Sequence, residues 1–277
     1  MPKKGTTVSG TELVLIILES LASKGEVRVR ELARELNIAP STALRFLRTL
    51  VQTGFAAADD ESRTYRPGMQ FLKLGVQVQA QFTFTRLARP VLESLFERVH
   101  ETVNLGVLSD DLSDVIHVDK IATDRVVRID TALGRTAPSY CTALGKAMLA
   151  FRPAAQVDAY LDRADLVPHT QSTLVDPAEL IQNLTQVRAQ GYAIDREEYS
   201  EHLECVAAPV FDDRGFAIAG ISVSRLAIRD AGDLTELAAE LVRAAQELSS
   251  SSGLLGAPGT TEVDRASRVA AGTRKRV

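Results

Sequence analysis

Apolar side chains at Leu13, Ile16, Ile17 and Leu21 recur at helical spacing and predict a first helix over about residues 10–21. Val29, Leu32, Ala33 and Leu36 predict a second, which stops at Asn37, a residue at ease in a turn. Pro40 fits a first helical turn, where its missing N–H has no partner to lose, so a third helix is predicted from Pro40 to Thr53, with Gly54 ending it. Two short extended runs, 55–58 and 63–66, flank the polar turn Asp59-Asp60-Glu61-Ser62 as in a hairpin. Helix, helix, turn, helix and hairpin together make a winged helix-turn-helix.

Beyond Pro67-Gly68, interleaved apolar and Gln positions predict a helical linker from Met69 to Gln81, and a further helix runs from Leu87 to His100. The rest alternates differently. Strands are predicted at 103–108, 115–120 and 125–130, helices at 142–151, 154–161 and 177–190, strands again at 192–195, 204–211 and 216–224, and a closing helix at 233–249. Hairpin-linked strands with helices at the margins imply an α+β domain built on an antiparallel sheet. The expected division is therefore a winged helix-turn-helix at 1–70, a helical linker at 71–86, a second domain at 87–250 and a disordered tail at 251–277, where Ser, Gly, Pro and scattered charge bury too little to fold.

Composition agrees with two domains. The chain has 277 residues, 45% of them apolar and 25% charged, which excludes disorder over most of its length, and no apolar run reaches membrane-spanning length. The basic N-terminus lacks an apolar signal segment, so a cytoplasmic protein with no membrane partner is expected. Two cysteines, Cys141 and Cys205, form neither a metal-ligand pattern nor a disulfide framework, and no metal or cofactor is expected. The net charge of −4 speaks against nucleic acid until it is resolved along the chain. Residues 1–70 hold ten Lys or Arg against eight Asp or Glu, a net +2; the last 29 residues stand at +3 and residues 71–248 at −9. A faintly basic head sits on an acidic body.

On a helical wheel the third helix places Ala43, Leu44, Leu47, Leu50 and Val51 on one side and Ser41, Thr42, Arg45, Arg48, Thr49 and Gln52 on the other. The polar side suits a DNA major groove: Arg pairs two donors with guanine, Gln pairs with adenine, and Ser and Thr anchor to phosphate. Arg63 and Thr64 on the wing are expected to follow the DNA backbone or the minor groove, while Asp59, Asp60 and Glu61 point away from phosphate.

At these residues the sequence resembles the IclR family of bacterial transcriptional regulators, over roughly residues 10–250. The resemblance rests on Glu31-Leu32-Ala33, the run Ser41 to Leu50, Gly54-Phe55 and Tyr65-Arg66-Pro67-Gly68 in the head. In the body it rests on Glu101 to Leu105, Thr142 to Ala147, Arg188 to Asp195, Cys205 to Phe211 and Ile221 to Ser224. It implies a winged DNA reader carrying a GAF-like effector-binding domain, assembled as a homodimer or homotetramer on a roughly palindromic double-stranded operator, acting as repressor or activator of an adjacent catabolic operon.

Carried over residue by residue, the family's effector pocket falls on Ala143, Leu144, Asp195, Cys205, Ser222 and Ser224, with apolar walls from Val126, Ile129, Ala137 and Leu203. The chemistry of these residues points to a small organic acid. Unpaired amides at 143–145, at the start of a helix, favour a carboxylate. Ser222 and Ser224, two apart on a strand, present their hydroxyls on one face. Asp195 accepts hydrogen bonds and asks for a hydroxyl or amine on the ligand. The chain departs from the family pattern in having His202 where relatives carry Gly and Arg225-Leu226 where Gly-Pro is usual. Two other readings compete: a GAF-like cysteine enzyme using Cys141 or Cys205 with a histidine, and a winged helix used for protein contact.

Overall fold

The computed structural model describes residues 9–59, 61–79, 83–125, 132–227 and 233–252. The chain divides into two compact units, with the boundary after Gln81.

In the first unit, α1 (Gly10–Lys24) opens on a capping box. Ser9 Oγ accepts from the Glu12 N–H at 3.2 Å, and the Glu12 carboxylate takes the Ser9 N–H at 3.1 Å. Gly25, with φ of 71°, ends the helix. Asn37, with φ of 51°, turns the chain between α2 (Val29–Glu35) and α3 (Pro40–Gln52). The antiparallel wing, β1 (Ala56–Asp59) and β2 (Thr64–Pro67), gains a third element through a bridge between Val27 and Tyr65. Ile17, Leu21, Leu32, Ala43, Leu47 and Leu50 form the core beneath. Val51, expected on the packed side of α3, is exposed, because it lies at the edge of the apolar stripe. The last element, α4 (Met69–Gln79), is held by Phe71, whose ring meets Phe55 edge-on at 5.4 Å. The rest of its apolar content faces outward: Met69 is 75% exposed, Leu72 59% and Val76 56%.

The second unit begins with α5 (Thr83–Val99), earlier than the expected Leu87. Phe84, which the sequence places in the linker, is buried in the core here. The antiparallel sheet has the order β5-β4-β3-β8-β7-β6, formed by β3 (Thr102–Leu108), β4 (Asp114–Ile121), β5 (Thr136–Pro138), β6 (Ala193–Arg196), β7 (Leu203–Phe211) and β8 (Ala217–Leu226). The strand expected at 125–130 falls almost wholly outside the described residues, and β5, only three residues long, was not foreseen.

Period-two alternation sorts the sheet's faces. Val103, Leu105, Val206, Ala208, Val210, Ile221 and Val223 belong to one core with residues of α5 and α9 (Leu234–Ser252), among them Leu92, Leu95, Leu241 and Leu248. The opposite face is covered by α6 (Ala143–Leu149) and backed by α7 (Ala154–Leu161) and α8 (Pro177–Gln190). Close approach of α6 requires glycine beneath it. A Cβ on Gly220 would sit 2.9 Å from a Leu144 methyl, and one on Gly145 would lie 2.1 Å from the Ser139 carbonyl oxygen. Past the glycine row, the same face turns polar. Asp195 pairs with Cys205 and Cys205 with Ser224 in one row across the sheet, and the next carries Ala207, Ser222 and Asn104.

Candidate nucleic-acid interface and ligand cavity

On α3, Ser41, Arg45, Arg48, Thr49 and Gln52 are exposed and Thr42 is half-buried, so one surface presents the side chains that the helical wheel groups together. Lys24, Arg28 and Arg66 in the same unit pair with Glu35, Glu31 and Asp59. Arg45 and Arg48 have no ion pair among the described residues; Arg45 instead lies 5.2 Å over the ring of Phe46. Thr49 donates its hydroxyl to the Arg45 carbonyl at 3.2 Å, which leaves its oxygen as an acceptor. Arg63 is exposed at the wing turn with φ of 53°.

Thr64 corrects the sequence expectation. It is 1% exposed, with its hydroxyl 2.6 Å from Ser62 Oγ, because the first residue of β2 points inward; it serves the hairpin and is closed to phosphate. The acidic turn is internally tied. Asp59 accepts the Glu61 and Ser62 N–H groups at 3.0 and 3.2 Å and pairs with Arg66, and the Ser62 hydrogen bonds are the chief reason its carboxyl lies below its usual range.

On the polar half of the second unit's sheet lies a cavity of about 390 Å³. Ala137, Ala143, Leu144, Asp195, Leu203, Cys205, Ser222 and Ser224 all line it; Val126 and Ile129 lie outside the described residues. The sequence reading did not select Arg135, His117, His169, Tyr199 or Ser200, which also line it.

A residue behind the wall sets the polarity of the serines. Asn104 Nδ2 donates to Ser224 Oγ at 3.1 Å and to Ser222 Oγ at 3.5 Å, and Cys205 Sγ donates to Ser224 Oγ at 3.2 Å. Ser224 Oγ thus accepts twice, which leaves its own hydrogen to donate into the cavity. Burial pushes the Cys205 thiol well up, so it stays a donor.

Asp195 faces these donors. Its Oδ1 accepts the Glu198 N–H at 2.7 Å, and burial, then the Glu198 charge, pushes its pKa up to about 7. Lys146, fully buried on α6, bonds Glu198, so the neighbouring cation is already committed; Glu198 Oε2 has no hydrogen-bond partner among the described residues. Of the two carboxyls, Glu198 is the one that Lys146 bonds among the described residues.

The start of α6 is narrower as an anion site than expected. Thr142 Oγ1 takes the Gly145 N–H at 3.2 Å, which removes one of the three amides; Ala143 and Leu144 line the cavity. Arg135, exposed at the rim beside β5, has no side-chain hydrogen bond or ion pair among the described residues and is the cation best placed to meet an acid. His117 Nδ1 lies 3.3 Å from the Arg135 carbonyl, and burial holds its pKa below the usual value, which keeps it neutral.

His202 lies outside the cavity, exposed with φ of 63°. A positive φ of this kind is one that glycine adopts without strain. Arg225, the other departure, is buried opposite Glu204 in the sheet register and donates to its carboxylate at 2.9 and 3.1 Å. Among the described residues no cysteine bonds a histidine, and burial pushes the Cys141 thiol up to about 12, opposite to what a nucleophile needs. No group of three potential metal ligands occurs among the described residues, and none of their helices is long and apolar enough to cross a membrane.

Comparison with known proteins places both units in one family. Residues 77–250 match the family described as bacterial transcriptional regulator IclR C-terminal, and residues 14–60 match the IclR helix-turn-helix domain. The HTH-type transcriptional regulator KdgR of Escherichia coli is 33% identical over 254 residues, covering 91% of this chain and 96% of that protein. The acetate operon repressor of Salmonella typhimurium is 33% identical over 236 residues, 84% of this chain and 86% of its own. The crystal structure of Thermotoga maritima IclR superimposes with a TM-score of 0.68 at 30% identity, covering 88% of this chain and 97% of that one. The chain belongs to the IclR family and is a DNA-binding transcriptional regulator, not an enzyme.

Proposed function

We propose that the cavity binds a small organic acid carrying a second hydroxyl or amine, and that this effector controls operator binding by α3 and the wing. The observation that carries the reading is the doubly accepting Ser224, whose remaining hydrogen points a donor at the ligand, with Arg135 at the rim for the carboxylate and Asp195 as the partner of the second group. Asp195 beside an acid avoids repulsion by holding a proton, in keeping with its raised pKa. Calorimetric titration with glycolate and salicylate, set against acetate and benzoate, tests this. Tighter binding of the hydroxy acids is expected; equal affinities would sink the assignment of Asp195.

Ser41, Thr42, Arg45, Arg48, Thr49, Gln52 and Arg63 form the proposed DNA surface. The outward apolar side chains of α4 support assembly as a homodimer, and two symmetric heads call for a roughly palindromic operator with half-sites about one helical turn, or a multiple of it, apart. Effector binding would then act through the segment from Met69 to His100 that joins the units. The relative named as an acetate operon repressor supports control of an operon, which we place next to the regulator's own gene. Use of the winged helix for protein contact predicts no salt-sensitive duplex binding, which separates it from this reading.

A further inference from the structure

A second cavity, of about 380 Å³, lies between the β3–β4 turn and α7 and shares no lining residue with the first. Arg152, Arg163, Gln156 and Asp110 supply its charged and amide groups. Arg152 follows α6 by three residues and is half-buried. Its Nε is shut away from solvent and has no acceptor, and its side chain makes no hydrogen bond or ion pair among the described residues. Burial lowers the affinity of its guanidinium for the proton, and the opposing charge that reaches it, from Asp212, acts without a salt bridge. A buried guanidinium N–H without an acceptor is a cost that folds ordinarily remove by pairing.

The other groups complete a donor set. Arg163 is pinned across the cavity: Nη1 donates to the Ala159 carbonyl at 3.2 Å and Nη2 to the Asp111 carbonyl, so its position is fixed while Nε is left over. Gln156, exposed on α7, offers its amide. Asp111 is turned away, its carboxylate held by Ser109 and Ser113, and the same bonds occupy Ser109. Among the lining residues Asp110 is the one carboxylate beside two guanidiniums, while the charges of Asp111 and Asp212 reach Arg163 and Arg152 from outside the lining.

We propose that this cavity is a second effector site that takes a phosphate group, as the free ion or as a small phosphate monoester, with Arg152 and Arg163 on its oxygens. The Nη groups of Arg152 and the remaining N–H groups of Arg163 would form charge-assisted hydrogen bonds to such an oxyanion. Asp110 adds selectivity: near neutral pH inorganic phosphate still carries a proton to donate to that carboxylate, whereas sulfate carries none. Because Ala143 and Leu144 line the first cavity and Arg152 follows the far end of the same helix, α6 runs from one site to the other.

The test uses the full chain and inorganic phosphate, read by calorimetry and by thermal unfolding near pH 6.5 at constant ionic strength, with sulfate and chloride as comparison anions. Phosphate is expected to raise the unfolding temperature and to bind at least tenfold more tightly than sulfate. Arg152→Gln should abolish both effects. Gln156→Glu, at an exposed position that leaves folding intact, should do the same by adding a carboxylate, and it decides the matter if Arg152→Gln does not fold. Arg135→Gln in the first cavity should leave phosphate binding unchanged. Equal response to sulfate and phosphate would overturn the proposal. So would binding that survives Arg152→Gln or Gln156→Glu, or binding lost in Arg135→Gln alone.

Discussion

Asn104 on β3 holds Ser224 on β8 through an Nδ2–Oγ hydrogen bond of 3.1 Å, and this fixes which way the serine hydroxyl can donate. Asn104 is not itself a lining residue of the cavity. Replacing it with Ala should weaken acid binding by about tenfold, the worth of roughly one oriented hydrogen bond. The melting temperature should shift little, because the Asn104 Oδ1 atom is itself buried without a partner. Calorimetry and thermal unfolding of the same sample separate the two effects. A large loss of stability with unchanged affinity would show Asn104 to be structural alone.

Asp195 makes stability depend on pH in a stated direction. Its folded pKa of about 7 lies above the ordinary value of 3.8, so between these limits the folded state holds more protons than the unfolded one. Stability contributed by the protonated carboxyl is therefore complete below about pH 4 and lost as pH rises toward 7. Asp195→Asn should remove this slope and be more stable than the parent at pH 8 by up to a few kcal/mol. Urea unfolding of both proteins from pH 4 to 8 measures it, and parallel curves would refute the assignment.

Arg45→Ala and Arg48→Ala should each cost about 1–3 kcal/mol of specific binding where the arginine reads a base. Where it contacts phosphate, the salt slope should fall by about one instead. Fluorescence anisotropy on a duplex selected from a random pool distinguishes these outcomes. Thr64→Ala should leave DNA affinity unchanged and lower stability, since Thr64 is buried within the hairpin.

Leu72 and Val76 lie one helical turn apart on α4 and are both exposed. Leu72→Glu with Val76→Glu should shift the protein toward monomer in sedimentation velocity and weaken operator binding. An unchanged sedimentation profile would place the dimer contact elsewhere.

Elements with strong punctuation were legible from sequence. Asp176 caps α8, Pro177 begins it and Gly191, at φ of 84°, ends it, so the predicted limits 177–190 coincide with the structure. The strand-borne cavity residues follow from period two together with the family resemblance. Arg135 was not legible, because it adjoins a strand of three residues with no alternation to read. Neither was the Lys146–Glu198 pair, which joins positions 52 apart through a buried contact that no local pattern encodes. Thr64 misled because a threonine beside an arginine in a turn looks like a phosphate ligand, and only the hairpin register shows it facing inward.

The most direct test of the central claim is the affinity of the full chain for a selected operator duplex, measured by anisotropy with and without the hydroxy acid that calorimetry finds to bind. The account predicts a change of at least tenfold in the native chain. It also predicts no change in a Ser222→Ala, Ser224→Ala double variant that binds the duplex normally without the acid. An affinity indifferent to the acid in the native chain, or a response that persists in the double variant, would contradict it.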